Sequence, residues 1–275
     1  MIGTGTYAAI AIMLAGGILL PAAICIWWLV TRKERFTTVL TGAVIWFVFA
    51  VLLEHIPIAI LFRREAPWGD LFLNNAAVYA VTGALLAGIF EETGRYLAFR
   101  IILKKRTNRE TSISYGIGHG GFEAMFLLGM SGIQNLLYAS MIKAGTFQGV
   151  IDQAAAAGAD VSALEKLPEQ IAGLTPLMGC MSTFERATAI LFHIGASVLV
   201  FYAVRHSKTW LYPLAILLHA LMDVPAALYQ QGILNLYATE AILALYAIVV
   251  FVIIYRSIYR KMGADNVEAE AVTGP

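Results

Sequence analysis

Charged residues are scarce in this chain: they make up 13% of its 275 residues, whereas soluble domains carry about 25%. Hydrophobic residues make up 59%, and the mean hydropathy is +0.73. A soluble core of this length does not need so much apolar surface. The composition therefore excludes an ordinary soluble enzyme and indicates an integral membrane protein.

Other features are missing as well. The two cysteines, Cys25 and Cys180, have no metal-ligand spacing and form no disulfide framework. The HExxH sequence of soluble zinc proteases is absent. Lysine and arginine are spread between the apolar runs, and the net charge is +1, so we expect no nucleic-acid partner. The N-terminus has no basic region before its apolar run, which predicts a retained first span rather than a cleaved signal peptide.

Seven apolar runs are long enough to cross about 30 Å of hydrocarbon. They cover residues 7–31, 38–62, 71–103, 112–142, 183–204, 209–231 and 234–256. We therefore predict an all-α polytopic membrane protein. Residues 1–262 would form a single transmembrane domain, with the core motifs in 71–142 and 183–231. Residues 263–275 would form a disordered cytoplasmic tail. The third and fourth runs exceed one bilayer thickness, so tilt, a kink or extension beyond the bilayer is expected.

The basic residues indicate an orientation. Twelve lie in one set of loops and four in the opposite set, so the positive-inside rule predicts an outer N-terminus and an inner C-terminus. The loop 143–182 is then outside, and its alanine-rich composition predicts one or two short surface helices.

Eight ionisable residues lie inside predicted spans, where charge costs about 2.5–3.5 kcal/mol for Arg, Lys or Asp at mid-helix. They are Glu91, Glu92, Arg95, His119, Glu123, His193, His219 and Asp223. At a rise of about 1.5 Å per residue, those other than Glu92 lie about 14 to 23 Å along the helix from the nearest cytoplasmic basic residue. Groups on four helices thus share one depth, which predicts one buried polar site.

Spacing within the helices supports that prediction. Six of the residues form i,i+4 pairs, whose members lie on the same helix face, namely Glu91 with Arg95, His119 with Glu123, and His219 with Asp223. Glu92 precedes Arg95 by three residues and can share it.

Less demanding interpretations exist for single residues. A lone intramembrane histidine such as His193 can simply join two helices by a hydrogen bond. Glu54 and His55 fall near the outer interface by depth, and we interpret them as structural or peripheral. Glu185 and Arg186 begin the fifth span, as an interfacial pair or as an outer wall of the site.

These residue types suit hydrolysis, which needs a base for water, a group for the oxyanion and a polar cavity. Glu91 or Glu92 suits the base, with Arg95 orienting the pair. His119, His193 and His219, with Glu123 or Asp223, could hold Zn²⁺ with one open position. Without metal, the histidines would instead donate to the oxyanion. Both mechanisms stay open here.

At three places the chain resembles the YhfC family of intramembrane proteases, which is similar to the CAAX-protease and bacteriocin-processing and PrsW superfamily. Glu91, Glu92 and Arg95 match an EExxR-like motif, Tyr115 and His119 an aromatic-xxx-His motif, and His219 and Asp223 an HxxxN/D motif. His193 resembles an addition of the YhfC type. The resemblance covers about residues 80–230 and implies membrane-embedded peptidase chemistry. An ionised Asp223, in place of asparagine, cannot donate to an oxyanion, which keeps metal ligation open.

We therefore expect an intramembrane endopeptidase that acts on a membrane-anchored or hydrophobic peptide substrate, in the plasma membrane of a prokaryote. The alternative is a proton- or cation-coupled transporter, in which the same acids and histidines relay protons or bind a cation. A non-catalytic scaffold is a weaker third alternative. The sequence does not identify the substrate.

Overall fold

The computed structural model describes residues 2–262, which are almost entirely helical and contain no β-strand. In chain order the helices are α1 (Thr4–Arg32), α2 (Phe36–Leu61), α3 (Gly69–Asn74), α4 (Ala76–Ile102), α5 (Glu110–Ala144), α6 (Phe147–Ala156), α7 (Ser162–Ala172), α8 (Pro176–Arg205), α9 (Leu211–Gln230) and α10 (Leu236–Met262). All except α3, α6 and α7 are long and apolar enough to span a membrane, which makes seven candidate spans in the described part of the chain.

The predicted all-α class and the seven spans are confirmed. The two short helices α6 and α7 lie in the loop that the sequence predicts to carry them. The tail predicted to be disordered, 263–275, lies outside the described residues.

Three predicted boundaries differ from the structure by five residues or more, and one of them is the end of the last span, at Met262 instead of 256. The other two have a local cause. The third run was expected to be helical from residue 71, but the chain breaks at Asn75, whose side chain accepts a hydrogen bond of 3.1 Å from the Val78 amide and caps α4. The fifth span was expected from residue 183, but α8 begins at Pro176. Proline is favoured in the first turn of a helix because its missing N–H has no helical partner there.

Helix α5 is the longest span, with 35 residues. At about 1.5 Å per residue it exceeds the hydrocarbon thickness, as the sequence predicts. It contains a π-helical turn at Met125–Gly129. Turns of this kind, which widen the helix by one residue, are often found near functional sites.

The chain forms two compact units. The first contains residues up to 23 and 124–187. Its buried cluster consists of Ile10, Ala139 and Ile171. Gly17 of α1 lies directly against Gly129 of α5, since an added Cβ on Gly17 would come within 2.3 Å of the Gly129 nitrogen.

The second unit contains residues 24–123 and those from 188 onward. In this unit α4 and α9 pack along each other over much of their length. Aromatic side chains fill its core: the Phe99 ring lies 4.7 Å from that of Tyr115 and 5.2 Å from that of Phe201, between ring centroids. The surface is apolar, and Leu217, on the same helix as buried His219, is 52% exposed. Lipid is the solvent that such a surface requires.

Candidate active site

Helix α4 carries three of the predicted site residues within about one turn, all buried. Glu92 and Arg95 form an ion pair in which Nη1 of Arg95 donates to Oε1 of Glu92. Neither side chain has any solvent exposure. A buried charge is tolerated where its partner and hydrogen bonds are in place. The sequence left open which glutamate Arg95 would pair with, and the structure places it on Glu92.

Glu91 belongs to a different set of contacts. Its Oε2 is hydrogen-bonded to Nε2 of His119 at 2.8 Å and lies 3.7 Å from Nε2 of His219. One carboxylate oxygen of Glu91 therefore faces two imidazole rings, one from α5 and one from α9. No arginine or lysine of residues 2–262 pairs with it.

His119 is completely buried on α5, with the Tyr115 ring 5.9 Å away. Within the described chain, its Nδ1 has no hydrogen-bond partner, and neither does the Tyr115 hydroxyl. The proton position on His119 is therefore determined by Glu91 alone among the described residues. Nε2–H donates to Glu91 when that carboxylate is ionised, and an Nε2 lone pair accepts when Glu91 is protonated.

His193 of α8 is held from both sides. Nη2 of Arg95 lies 3.0 Å from its Nδ1, and Oε2 of Glu123 lies 2.6 Å from its Nε2. Arginine can only donate, so Nδ1 of His193 must accept, and the proton of the neutral ring then sits on Nε2. From the sequence, His193 taken alone was expected to do no more than join two helices by a hydrogen bond. The structure places it between Arg95 and Glu123.

His219 of α9 donates from Nδ1 to Oε1 of Glu92 over 2.7 Å. Its Nε2 then points towards Oδ2 of Asp223 at 3.5 Å as well as towards Glu91. The Asp223 side chain is 37% exposed and is the most open of the site's acids. Glu92 thus orients the ring, and Asp223 lies where the site opens.

The structure therefore brings all eight predicted site residues into one network within the second unit. The three histidine rings lie together, with centroids 4.6 Å apart for His119 and His193 and 5.3 Å apart for His193 and His219. Residues about a hundred positions apart meet because their helices approach at glycines. On Gly116 an added Cβ would lie 2.6 Å from Cα of Ile194, and on Gly88 it would lie 2.7 Å from the Ile216 carbonyl oxygen.

Backbone contact also positions α5 against α2. An added Cβ on Gly118 would lie 1.9 Å from the Val39 carbonyl oxygen, and one on Gly42 would lie 2.3 Å from the Tyr115 carbonyl oxygen. Each helix contributes a glycine at the crossing, so main chain touches main chain directly beside His119.

Four groups could hold a metal ion: Glu91, His119, Glu123 and His193 have ligand atoms that all lie within 4.8 Å of one another. Ligands of zinc sit about 2.0–2.2 Å from the ion, and imidazole and carboxylate are both usual zinc donors. The donor set therefore fits zinc by type, and its atoms are close enough for small side-chain rotations to bring them onto one ion. Glu91, His119 and Glu123 can turn a lone pair to the ion directly. His193 can do so through Nε2 only after the proton on that nitrogen has left.

This group differs from the expected set of three histidines. His219 is not part of that group, and its Nδ1 is bonded to Glu92. Glu91 takes its place, although the sequence suggested Glu91 mainly as a base.

The structure also locates two charged positions that the sequence placed outside the main site, the Glu185–Arg186 pair and Glu54. Glu185 and Arg186 pair with each other in the first unit, as an interfacial pair would. Glu54 was interpreted as structural or peripheral; it is buried rather than peripheral, and it lies close enough to His219, Asp223 and Glu123 to interact with them electrostatically. Depth along a helix, the only signal used for Glu54, does not tell which way a side chain points.

Comparisons with known proteins agree with this chemistry. Residues 16–246 match the model of a family described as YhfC intramembrane metalloprotease. A relative from Bacillus subtilis (strain 168), described as "Uncharacterized membrane protein YhfC", is 36% identical over 249 residues, which are 87% of this chain and 92% of the relative. The matched region contains every residue of the network described above. No solved structure matches the chain.

Proposed function

This chain belongs to the YhfC family of intramembrane metalloproteases, and we propose that it is an endopeptidase that hydrolyses a peptide bond of a membrane-anchored or hydrophobic substrate. The chain is an integral membrane protein, and a bacterial plasma membrane agrees with the source of its relative. The observation that carries the proposal is Oε2 of Glu91, which two histidines face in a buried polar network.

The two adjacent glutamates have different surroundings, and this difference supports Glu91 as the reacting carboxylate. Glu92 is fully buried, and its Oε1 accepts hydrogen bonds from both Arg95 and His219. Those bonds stabilise its charge and leave it little basicity for a reaction. Glu91 retains some exposure and has no cationic arginine beside it. Glu92 accordingly orients the His219 ring, and Glu91 accepts and releases the proton of the reacting water.

Zinc would be held by Glu91, His119 and Glu123, with His193 as a fourth candidate, and when bound it would activate water and polarise the scissile carbonyl. The chain's own groups handle the protons. Water adds its hydroxide to the carbonyl carbon and gives its proton to Glu91. When the C–N bond breaks, the departing nitrogen takes up a proton through His219, whose Nε2 lies 3.7 Å from Glu91. Glu92 keeps that Nε2 directed at the site by binding Nδ1.

The proposal is tested with purified protein reconstituted together with a panel of membrane-spanning peptides, whose products are identified by mass spectrometry. We expect cleavage by the wild type and none by Glu91→Gln. Glu65→Gln, which alters an exposed carboxylate paired with Arg63 outside the spans, is the matched control and should cleave as the wild type does. Full activity of Glu91→Gln would contradict the assignment.

Metal dependence is measured on the same preparations. Zinc that co-purifies, and activity that is lost on chelation and restored by zinc, support the metallo-type mechanism. Undiminished cleavage by metal-free protein would favour the mechanism in which Glu91 acts on water alone and the histidines stabilise the oxyanion.

A further inference from the structure

Glu54 is a buried carboxylate for which the mechanism above has no use. It lies in α2, between the π-helical segment Phe47–Leu53 and the α-helical turns that follow, and its amide bonds to the Phe49 carbonyl oxygen at 2.9 Å. Its residue exposure is 8%. Within residues 2–262 its side chain accepts no hydrogen bond and pairs with no lysine or arginine. An ionised carboxylate without a partner costs several kcal/mol to bury, and a positive charge placed beside it offsets much of that cost.

The groups that interact electrostatically with Glu54 belong to the candidate active site. They are His219, Asp223, Glu123 and Glu91. Helix α2 reaches this region because Gly94 of α4 leaves room for the Phe49 ring, which an added Cβ on Gly94 would approach to 2.7 Å. Glu54 follows Phe49 by five residues, which brings it level with the acids of the site.

Glu54, Glu123 and Asp223 together form what we name the acidic rim. Glu123 and Asp223 each follow a site histidine by four residues, which places them one helical turn, about 6 Å, beyond His119 and His219. The distribution of basic residues predicts that this side faces outward. The Asp223 side chain, 37% exposed, is where the rim is open.

The three carboxyl groups of the acidic rim favour a positively charged ligand. Arg95, the cation on the inner side, is already bonded to Glu92 and His193. The candidate metal group uses Glu123 but does not include Glu54. The positive group that attracts Glu54 is the His219 ring, which is already bonded to Glu92 and faces Glu91. A cation that arrives with the substrate can therefore pair with Glu54 directly, and a low-dielectric site strengthens such a pairing.

Resting on the proposed peptidase function, we propose that Glu54 is a specificity-determining residue that binds a positively charged group of the substrate, an amino terminus or a lysine or arginine side chain close to the scissile bond. The substrate class is then an apolar peptide with a positive charge on the side of the cleaved bond nearer the rim. Selection by such a charge pair acts through differential binding.

The experiment measures binding rather than cleavage. Full-length protein with Glu91→Gln, which blocks turnover, is placed in lipid nanodiscs. The probes are fluorescent leucine–alanine peptides with one lysine at successive positions, each matched by a peptide with glutamine at the same position. We expect the best lysine peptide to bind about tenfold more tightly than its glutamine counterpart, as one well-placed charge pair allows. Adding Glu54→Gln should reduce this ratio to about one, and adding Glu54→Asp should retain most of it.

The controls separate this role from others. Glu65→Gln, at an exposed carboxylate, should leave the ratio unchanged. A structural role for Glu54 would weaken both peptides alike and preserve the ratio, which would overturn the proposal, as would equal binding of the lysine and glutamine peptides to the parent. Loss of bound zinc in Glu54→Gln made alone, with Glu91 intact, would overturn it too, because Glu54 would then be a metal ligand. Failure of the peptidase proposal is seen separately, in the cleavage assay with the wild-type protein.

Discussion

Arg95 donates a hydrogen bond to Nδ1 of His193 over 3.0 Å, and this contact fixes the proton of the His193 ring on Nε2. The same guanidinium neutralises Glu92 through its other terminal nitrogen. One residue therefore controls both the charge of the inner carboxylate and the tautomer of a histidine from another helix. His119, whose Nδ1 has no partner among residues 2–262, is under no such control.

Loss of Arg95 should be costly for folding. Arg95→Met leaves Glu92 buried without its counter-ion, which typically costs about 3–5 kcal/mol. We expect a clear fall in the thermal unfolding midpoint in detergent, and a partial recovery in Arg95→Met/Glu92→Gln, where neither charge remains. Arg63→Met, at an exposed pair separated by 3.6 Å, should change the midpoint little. No recovery in the double variant would contradict the buried-pair explanation.

Substitution of the two neighbouring glutamates should have different effects, one on catalysis and the other on stability. Glu91→Gln removes the proton acceptor and should lower kcat by about 10²–10⁴-fold, the usual contribution of a general base, while the unfolding midpoint stays near that of the wild type. Glu92→Gln leaves Arg95 buried and unpaired, so its main effect should be on the unfolding midpoint. The two variants are compared by circular dichroism melting and by cleavage rate. The reverse pattern would assign the reacting carboxylate to Glu92.

Metal content should follow the ligand group rather than the histidine count. His119→Ala and Glu123→Gln should purify with much less zinc than the wild type, because both residues belong to the group within 4.8 Å. His219→Ala should retain zinc, because its Nδ1 serves Glu92 and its ring is outside that group. His206→Ala, at a ring that lies 4.2 Å from Tyr202 and outside the network, is the control. Zinc lost only with His219→Ala would require a different site.

Two glycines of α4 should respond oppositely to alanine. Gly88→Ala places a Cβ 2.7 Å from the Ile216 carbonyl oxygen, so α9 must move and carry His219 with it. We expect lower stability and lower activity. Gly83→Ala meets nothing within 4 Å and should stabilise the helix by about 0.5–1 kcal/mol, because alanine loses less backbone entropy. Thermal unfolding of both variants checks the contrast, and equal effects would show that the α4–α9 contact is not tight.

Hydropathy and helical spacing were enough to predict the helical class, the seven spans and the short helices of the 143–182 loop. In the lipid region the only way to satisfy the backbone of such runs is a helix, so composition leaves few alternatives. Boundaries were less predictable, because Asn75 acts through a cap and Pro176 through its missing N–H, and both effects are local.

The gathering of the charged residues also followed from depth and spacing, but their partners did not. Glu91, Glu92 and Arg95 are within one turn of each other, and sequence alone cannot tell which glutamate meets Arg95. The burial of Glu54 was not predicted, for a related reason. Its distance along α2 suggested an interface, whereas its side chain is buried, within electrostatic reach of Asp223 and Glu123.

The paired glycines Gly42 and Gly118 have a consequence for spectroscopy. Because main chain meets main chain at that crossing, the spacing of α2 and α5 beside His119 is set by backbone packing and not by a bound ion. The apoprotein should therefore keep its donor atoms in place and accept cobalt(II) by simple exchange in detergent. The visible absorption of the cobalt form would then report coordination number and ligand changes, variant by variant, without a substrate.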